Sequence, residues 1–395
     1  MTSFFGAASF GGDAVYVERL AAALLKLGHE VHVIHSEGAF WCVRGRHQHR
    51  TYRPPPRLVI HTVAADVRGI AGAMWSQQTG RIGPVRPLLA RVLSEVPFDV
   101  VHLHNVSLLG HANLFDLVPA SRRPVKLVTA HDYWWICPQS LLWKNGQGLC
   151  DRPTCWTCLV RSGRPPQLWR GRDHASRALV RADAVIFPSR SALEIHVARG
   201  LCHRRMRVLP CFLPDDWTTS APQPPPSERP YFVAVGRLVA EKAFQAVVPL
   251  MREFPELDLC IAGSGPFESR LRHLAVGLPN VKLLGQLSSE RVAGLLRGAR
   301  ALVVPSLFPE TFGYVAAEAM ALGTPVIARR LGALPELLEA AGGGVVFDSS
   351  DELREHMRTF GFDETRRAAL AARAARLWSE RGHLDQYLQM IESLR

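Results

Sequence analysis

From residue 231 to residue 347 the chain repeats one alternation. The apolar runs YFVAVGR, LDLCIAG, VKLLG, ALVVPS, PVIAR and GVVF are separated by stretches of helical spacing, among them SSERVAGLLRGA and LPELLE. Strands apolar on both faces, each followed by a helix, are satisfied by a parallel sheet covered on both sides. This half is therefore an α/β, doubly wound domain over residues 231–374. The stretch before it, TTSAPQPPPSERP (218–230), is Pro-rich without periodicity and reads as a linker.

A length of 395 residues suits two cores rather than one. In the first half, AVYVERLAAALLKL has helical spacing and stops at Gly28, and the strands HEVHVIHS, RLVIHTV, FDVVHLHN, VKLVTAHDYWW, ADAVIFPS and RVLP follow. A second Rossmann-like domain over 1–217 is expected, its opening strand reduced to TSFF. Either that strand is very short or the recorded start lies downstream of the true one. His102 and His104 alternate along FDVVHLHN, one expected toward the core and one toward a cleft. Gly11-Gly12-Asp13 precedes the first helix. A glycine pair there lets backbone approach a ligand at a helix N-terminus, and an ordinary turn would use the same residues.

Hydrophobic residues make up 47% and charged residues 21% of the chain, a globular balance. No apolar stretch is long enough to span a bilayer, and MTSFFGAASFGGD lacks the pattern of a signal peptide, so a cytoplasmic protein is expected. The net charge of +12 is uneven: residues 1–228 hold 27 Lys+Arg against 16 Asp+Glu (+11), and residues 229–395 hold 20 against 19 (+1). Such a basic half favours anionic partners. Without a nucleic-acid-binding motif, the expectation is no nucleic acid, but an anionic membrane surface or a phosphorylated acceptor. The polar, basic, Pro-rich stretch from Arg44 to Arg57 is a loop that could meet either.

The densest chemistry lies in PSLFPETFGYVAAEAMALG, Pro305 to Gly323. Glu310 falls in a loop at the carboxyl end of a strand, Glu318 on the short helix that follows, and Phe312 and Gly313 where backbone amides would point out at a helix N-terminus. Upstream, Arg237 ends one strand and Lys242 follows a short turn; two such cations can grip a diphosphate. Gly263-Ser264-Gly265-Pro266 is a second glycine loop at a strand end. Taken alone, two surface glutamates, a surface Arg and Lys, or one glycine loop would each be unremarkable.

Together, Glu310 and Glu318 with Gly236-Arg237 and Lys242 resemble the E-x7-E motif and phosphate-binding pair of family 4 retaining glycosyltransferases. That family has the GT-B fold, two Rossmann-like doubly wound domains facing each other across a cleft. The resemblance covers nearly the whole length and is most specific over residues 231–340. It implies a nucleotide diphosphate sugar donor and a hydroxyl acceptor, whether glycan, lipid-linked sugar or metabolite. It implies that Glu310 engages the transferred sugar and Glu318 the ribose, with Gly236, Gly263, Gly265, Phe312 and Gly313 around the nucleotide. Gly11 and Gly12 would touch the distal phosphate, and Asp13, His104 and Asn105 would line the acceptor side. His131, in His131-Asp132, would contact the sugar near its anomeric carbon across the cleft from Glu310; a buried structural histidine is the plainer reading. A C-terminal helix of about 375–395 would return to the first domain. No D-x-D motif is present, since Asp215-Asp216 lacks the spacing, so no cofactor is expected for catalysis.

Within an expected insertion over 133–173, Cys137, Cys150, Cys155 and Cys158 form C-x12-C-x4-C-x2-C. Thiolates so spaced could share a structural zinc ion; reduced thiols or a disulfide remain open. Two other functions stand beside the transferase: a nucleotide-sugar epimerase of the same fold, which needs no acceptor site, and a non-catalytic anion-binding protein.

Overall fold

A computed structural model of the protein describes residues 1–44, 51–171, 173–219 and 228–395. Most of the basic loop 44–57 is therefore seen, but 45–50 and most of the 218–230 linker lie outside the described residues. The chain divides into two compact units. The first comprises Met1–Leu141, Arg152–Pro210 and His383–Arg395, and the second Leu142–Asp151 and Cys211–Gly382.

The strands in chain order are β1 (His32–Ser36), β2 (Val59–Val63), β3 (Val100–Leu103), β4 (Val125–Thr129), the hairpin β5 (Trp143–Lys144) and β6 (Gly148–Leu149), β7 (Ala184–Phe187) and β8 (Met206–Val208) in the first 210 residues. β9 (Tyr231–Val235), β10 (Asp258–Ala262), β11 (Val281–Gly285), β12 (Ala301–Val304), β13 (Val326–Arg329) and β14 (Gly344–Phe347) follow.

In the first unit β3-β4-β7-β8 form one parallel ladder and β1-β2 another. The first three residues join them. Thr2 N–H donates to the Ile34 carbonyl (3.0 Å) and Ser36 N–H to that of Ser3 (3.4 Å). On the other side the Met1 amine donates to His102 O (2.6 Å), His104 N–H to Met1 O (2.9 Å), and Ser3 N–H to Asn105 O. The central position of the sheet is thus filled by a three-residue ladder, giving the spatial order β2, β1, residues 1–3, β3, β4, β7, β8. Helix α1 (Gly12–Lys26) covers one side of it, burying Tyr16, Val17 and Leu20. Three further helices, α2 (Glu37–Arg44), α3 (Val67–Thr79) and α4 (Arg86–Glu95), complete the region before β3.

The second unit holds the alternation read from the sequence: six parallel strands in the order β11-β10-β9-β12-β13-β14. The central strands β10 and β12 are buried at every position, and the edge strand β11 at none. The stretch after β9 is a short helix, Phe244–Val247, and a 3-10 turn over Val248–Glu253, where Pro249 cannot continue the hydrogen-bond ladder.

The unit boundaries differ from 217 and 375. Cys211–Thr219 goes with the second unit because Leu213 N–H donates to Trp378 O (2.9 Å) and the Trp217 indole N–H to Glu318 O (3.1 Å). The tail forms two helices, Glu364–Leu377 and Glu380–Glu392, and its membership changes at His383. The hairpin β5-β6, with Cys150 after it, counts with the second unit, so the expected insertion 133–173 is not one body.

Candidate active site

In the second unit the loop after β12 brings Glu310 to Lys242. Lys242 Nζ lies 2.6 Å from Glu310 Oε1, and Ser306 Oγ donates to the same oxygen at 2.8 Å. The Lys242 ammonium also stands 5.1 Å from the centre of the Phe308 ring. The lysine stem runs beside Gly236, where a Cβ would be 3.8 Å from Lys242 Cε. Glu310 is fixed from behind as well. Ala333 N–H donates to its carbonyl (2.9 Å), and Gly332, at φ +62, lies so close that a Cβ would be 2.5 Å from both Glu310 N and O. Both charges of the pair are largely buried, so their contact is far less screened than a surface pair.

Arg237 is half-buried and has no acidic partner among the described residues, which leaves its guanidinium available to an anion. Gly263 and Gly265 serve backbone packing. A Cβ at Gly263 would collide with Gly236 O, one at Gly265 would be 2.8 Å from Leu238 N, and Leu238 N–H donates to Ser264 O (3.0 Å). The two glycine loops therefore run against one another, holding Arg237 between Gly236 and Leu238.

Gly313 adopts φ +90 at the start of the helix Tyr314–Ala321, and accepts from Ala316 and Ala317 N–H (2.9 and 3.2 Å). The Phe312 side chain is buried, edge-on to Tyr314 and Trp378. Glu318 is half-buried on that helix, its carbonyl held by Trp217.

The first unit gathers the other predicted residues. Gly11, at φ +90, caps α1, Gly12 begins it, and Asp13 lies in its first turn. Asn105 Nδ2 donates to Asp13 Oδ2 (3.0 Å), and Asn105 Oδ1 accepts from Ser107 Oγ (2.8 Å), which fixes the amide orientation. His104 Nδ1 and His131 Nε2 are 3.0 Å apart, one carrying the proton between them.

His102 and His104 do not point to opposite sides. Their rings are 4.0 Å apart, as a period of two demands: residues i and i+2 share a face. His102 is locked by Tyr387 OH (3.0 Å) and Thr129 Oγ1 (2.8 Å). Tyr16 packs on His131 (4.9 Å) and His104 (5.7 Å), and its hydroxyl meets His383 Nε2 at 3.0 Å.

Burial lowers all four of these histidines, His131 to about 3 and His383 to about 4. They are neutral at physiological pH, so each can exchange hydrogen bonds but carries no charge. Burial raises Asp132 to about 7, against the Trp134 N–H it accepts (2.8 Å). Ser189 caps the helix Arg190–Ala198 through Ala192 N–H, a structural role.

Cys158 Sγ accepts from Gln139 Nε2 (3.1 Å), and Arg170, stacked on Trp134 (4.6 Å) and Trp169 (4.9 Å), donates from Nη1 to the Trp134 carbonyl (2.7 Å). Among the described residues no group of three or more His, Cys, Asp or Glu side chains is arranged to hold a metal ion. Ser306, Phe308, Gly332 and Trp217 were not singled out by the sequence; of these only Gly332 carries a local signal, a glycine before a helix start.

The fold is shared with solved glycosyltransferases. Sucrose-phosphate synthase from Thermosynechococcus elongatus matches all of this chain and 96% of its own, with a TM-score of 0.70 at 19% identity. Anabaena HepE, solved in complex with UDP-glucose, matches with full coverage of both chains, a TM-score of 0.66 and 16% identity. The architecture is that of the GT-B class.

Residues 10–217 match the family model for Glycosyltransferase Family 4 and residues 215–377 that for Glycosyl transferases group 1. The chain belongs to glycosyltransferase family 4. A GDP-mannose-dependent monoacylated alpha-(1-6)-phosphatidylinositol monomannoside mannosyltransferase of Corynebacterium glutamicum is 36% identical over 155 residues, covering 36% of this chain and 41% of its own. Sulfoquinovosyl transferase SQD2 of Arabidopsis thaliana is 32% identical over 127 residues, covering 31% and 24%. The chain thus aligns with about a quarter to two fifths of the length of these curated relatives. Among the described residues no helix is long and apolar enough to cross a membrane.

Proposed function

We propose that the protein is a retaining glycosyltransferase that moves a hexose from a nucleotide diphosphate sugar to a hydroxyl acceptor, without a catalytic metal. The observation that carries this is the Lys242–Glu310 pair with Ser306 on the same carboxylate oxygen, set beside Gly236 and the unpartnered Arg237. Arg237 and Lys242 hold the diphosphate and stabilise the charge that builds as it departs. Glu310 accepts hydrogen bonds from hydroxyls of the transferred sugar and Glu318 from those of the ribose. In the first unit Asp13, Asn105 and the His104–His131 pair offer hydrogen bonds that orient a hydroxyl acceptor.

The bond from the anomeric carbon to the phosphate oxygen breaks as the acceptor oxygen bonds to that carbon on the same face. The acceptor's proton passes to the departing phosphate. Glycolipid or glycan acceptors are favoured by the relatives' names, a phosphatidylinositol mannoside mannosyltransferase and a sulfoquinovosyl transferase.

A thermal-shift panel of nucleotide sugars identifies the donor, and NMR of the product made with it reads the anomeric configuration. Retention with undiminished turnover in EDTA is expected. An inverted product, a requirement for added metal, or epimerisation of donor alone would each reject the proposal.

A further inference from the structure

Helix α3 is built inside out. Its buried positions are Gly69, Gly72, Ala73 and Ser76, all small. They are small because backbone comes close on that side: a Cβ at Gly38 of α2 would lie 2.5 Å from the Gly69 carbonyl carbon, and one at Gly72 would lie 2.9 Å from Val85 Cγ1. Ile70 is half-buried, and the other three large apolar residues face outward. Val67 is 84% exposed, Met74 59% and Trp75 52%. Spaced by seven and eight residues, they fall on one stripe with exposed Ala71 between them. A surface helix ordinarily turns such a stripe to the core. Single exposed apolar residues need no explanation, but three large ones on one stripe, including a tryptophan, call for a covering partner.

The surroundings of the stripe are basic. Arg68 adjoins Val67 on the helix, and Arg81 and Arg86 flank the Trp75 turn, since a Cβ at Gly83 would be 3.2 Å from Trp75 Cβ; all three arginines are exposed. From residue 67 to residue 94 the sequence contains four arginines and no Asp or Glu. Asp66, just before, is committed to capping α3 through Gly69 N–H (2.8 Å). The fourth arginine, Arg91, is within 3.5 Å of Glu95.

We propose that the outward face of α3, with Val67, Met74 and Trp75 at its centre and Arg68, Arg81 and Arg86 at its rim, docks the protein on an anionic membrane surface. An amphipathic helix lying in the interface sinks such a stripe into the acyl boundary while its arginines stay at the headgroups. Anionic lipid supplies the charge that this segment lacks. The proposal is independent of the reaction: it places the enzyme where a lipid-linked acceptor would be, and it stands or falls without any transfer assay.

The test is co-sedimentation of the full chain with phosphatidylcholine vesicles, with and without phosphatidylglycerol. The wild type should pellet with the anionic vesicles, be released by salt, and stay soluble with phosphatidylcholine alone. Met74→Ser/Trp75→Ser should lower partitioning at least about tenfold, because both side chains lose their burial in the interface. Arg81→Glu/Arg86→Glu should lower it by about fivefold or more for each charge removed. Both double variants should keep the wild-type melting temperature and nucleoside diphosphate binding, which excludes misfolding. Equal binding to both vesicle types, or variants that bind like the wild type, would overturn the proposal. So would sedimentation velocity showing a wild-type dimer that Met74→Ser/Trp75→Ser dissociates, since the face would then be covered by a second copy.

Discussion

Lys242 and Glu310, 68 residues apart in sequence, share a 2.6 Å ion pair whose acceptor oxygen is also held by Ser306. In the proposed function a donor diphosphate competes with Glu310 for the lysine, and a sugar competes with Lys242 for the carboxylate. The two contacts are therefore coupled. Glu310→Gln keeps the shape and removes one charge, releasing Lys242. Transfer should fall at least about a hundredfold, while the nucleoside diphosphate binds as tightly as before or up to about tenfold tighter. Lys242→Ala should weaken the same ligand by about tenfold or more. Calorimetric titration of both variants settles it, and a Glu310→Gln variant that binds the diphosphate more weakly than wild type would contradict the coupling.

Gly332 supports Glu310 from the main chain, and its effect is separable from ordinary glycine strain. Gly28 has φ +88 with nothing within 4 Å of its would-be Cβ, so Gly28→Ala should cost only about 1 kcal/mol of stability. Gly332→Ala adds a 2.5 Å encounter with Glu310 backbone to a similar φ and should cost roughly 2–4 kcal/mol. Under conditions where both variants are fully folded, Gly332→Ala should still lose transfer activity and Gly28→Ala should not. Urea melts with parallel activity assays read both quantities.

Asn105 and Asp13 are joined by one hydrogen bond of 3.0 Å, at the first turn of α1. Asn105→Asp replaces the donor with a second carboxylate at the same distance. The two anions repel, and the first turn of α1 should shift while the second unit is untouched. Transfer should fall about a hundredfold, with nucleoside diphosphate affinity within about twofold of wild type. A loss of diphosphate binding equal to the loss of transfer would show that Asn105 serves the fold at large instead.

What the sequence disclosed follows from which contacts are periodic. β9, β10 and β12 are apolar on both faces because both faces are covered, so the second unit could be read strand by strand. Helices α2 and α3 escaped notice because the residues α3 buries are Gly, Ala and Ser, which produce no apolar period. The first strand of the first unit was barely legible because only Met1–Ser3 contribute its ladder. Glu310 could be identified from its spacing to Glu318, but its partner Lys242 is reached only through the parallel pairing of β9 with β12, and Ser306 only through the turn that follows β12. The opposed facing expected for His102 and His104 was an error of period, corrected by rings 4.0 Å apart.

His383 gives the fold a definite pH dependence. Its Nδ1–H donates to Pro210 O (2.8 Å), so Nε2 accepts from Tyr16 OH (3.0 Å), and the ring is 4% exposed. Burial lowers it from 6.5 to about 4. A depressed value means that the folded state prefers the neutral ring: the stabilisation is fully present above pH 6.5 and is lost as pH falls toward 4. The loss is on the order of 3 kcal/mol for this one group. His383→Asn retains a donor for Pro210 and cannot be protonated, so its stability should decline less between pH 6.5 and 4.5 than that of the wild type. Tyr16→Phe removes the partner hydroxyl and not the titration; it should cost about 1–2 kcal/mol at pH 7 and keep a wild-type slope below it. Thermal melts across this range measure all three proteins, and a His383→Asn slope equal to that of the wild type would assign the acid sensitivity to other buried histidines, among them His35, His102, His104, His131 and His196.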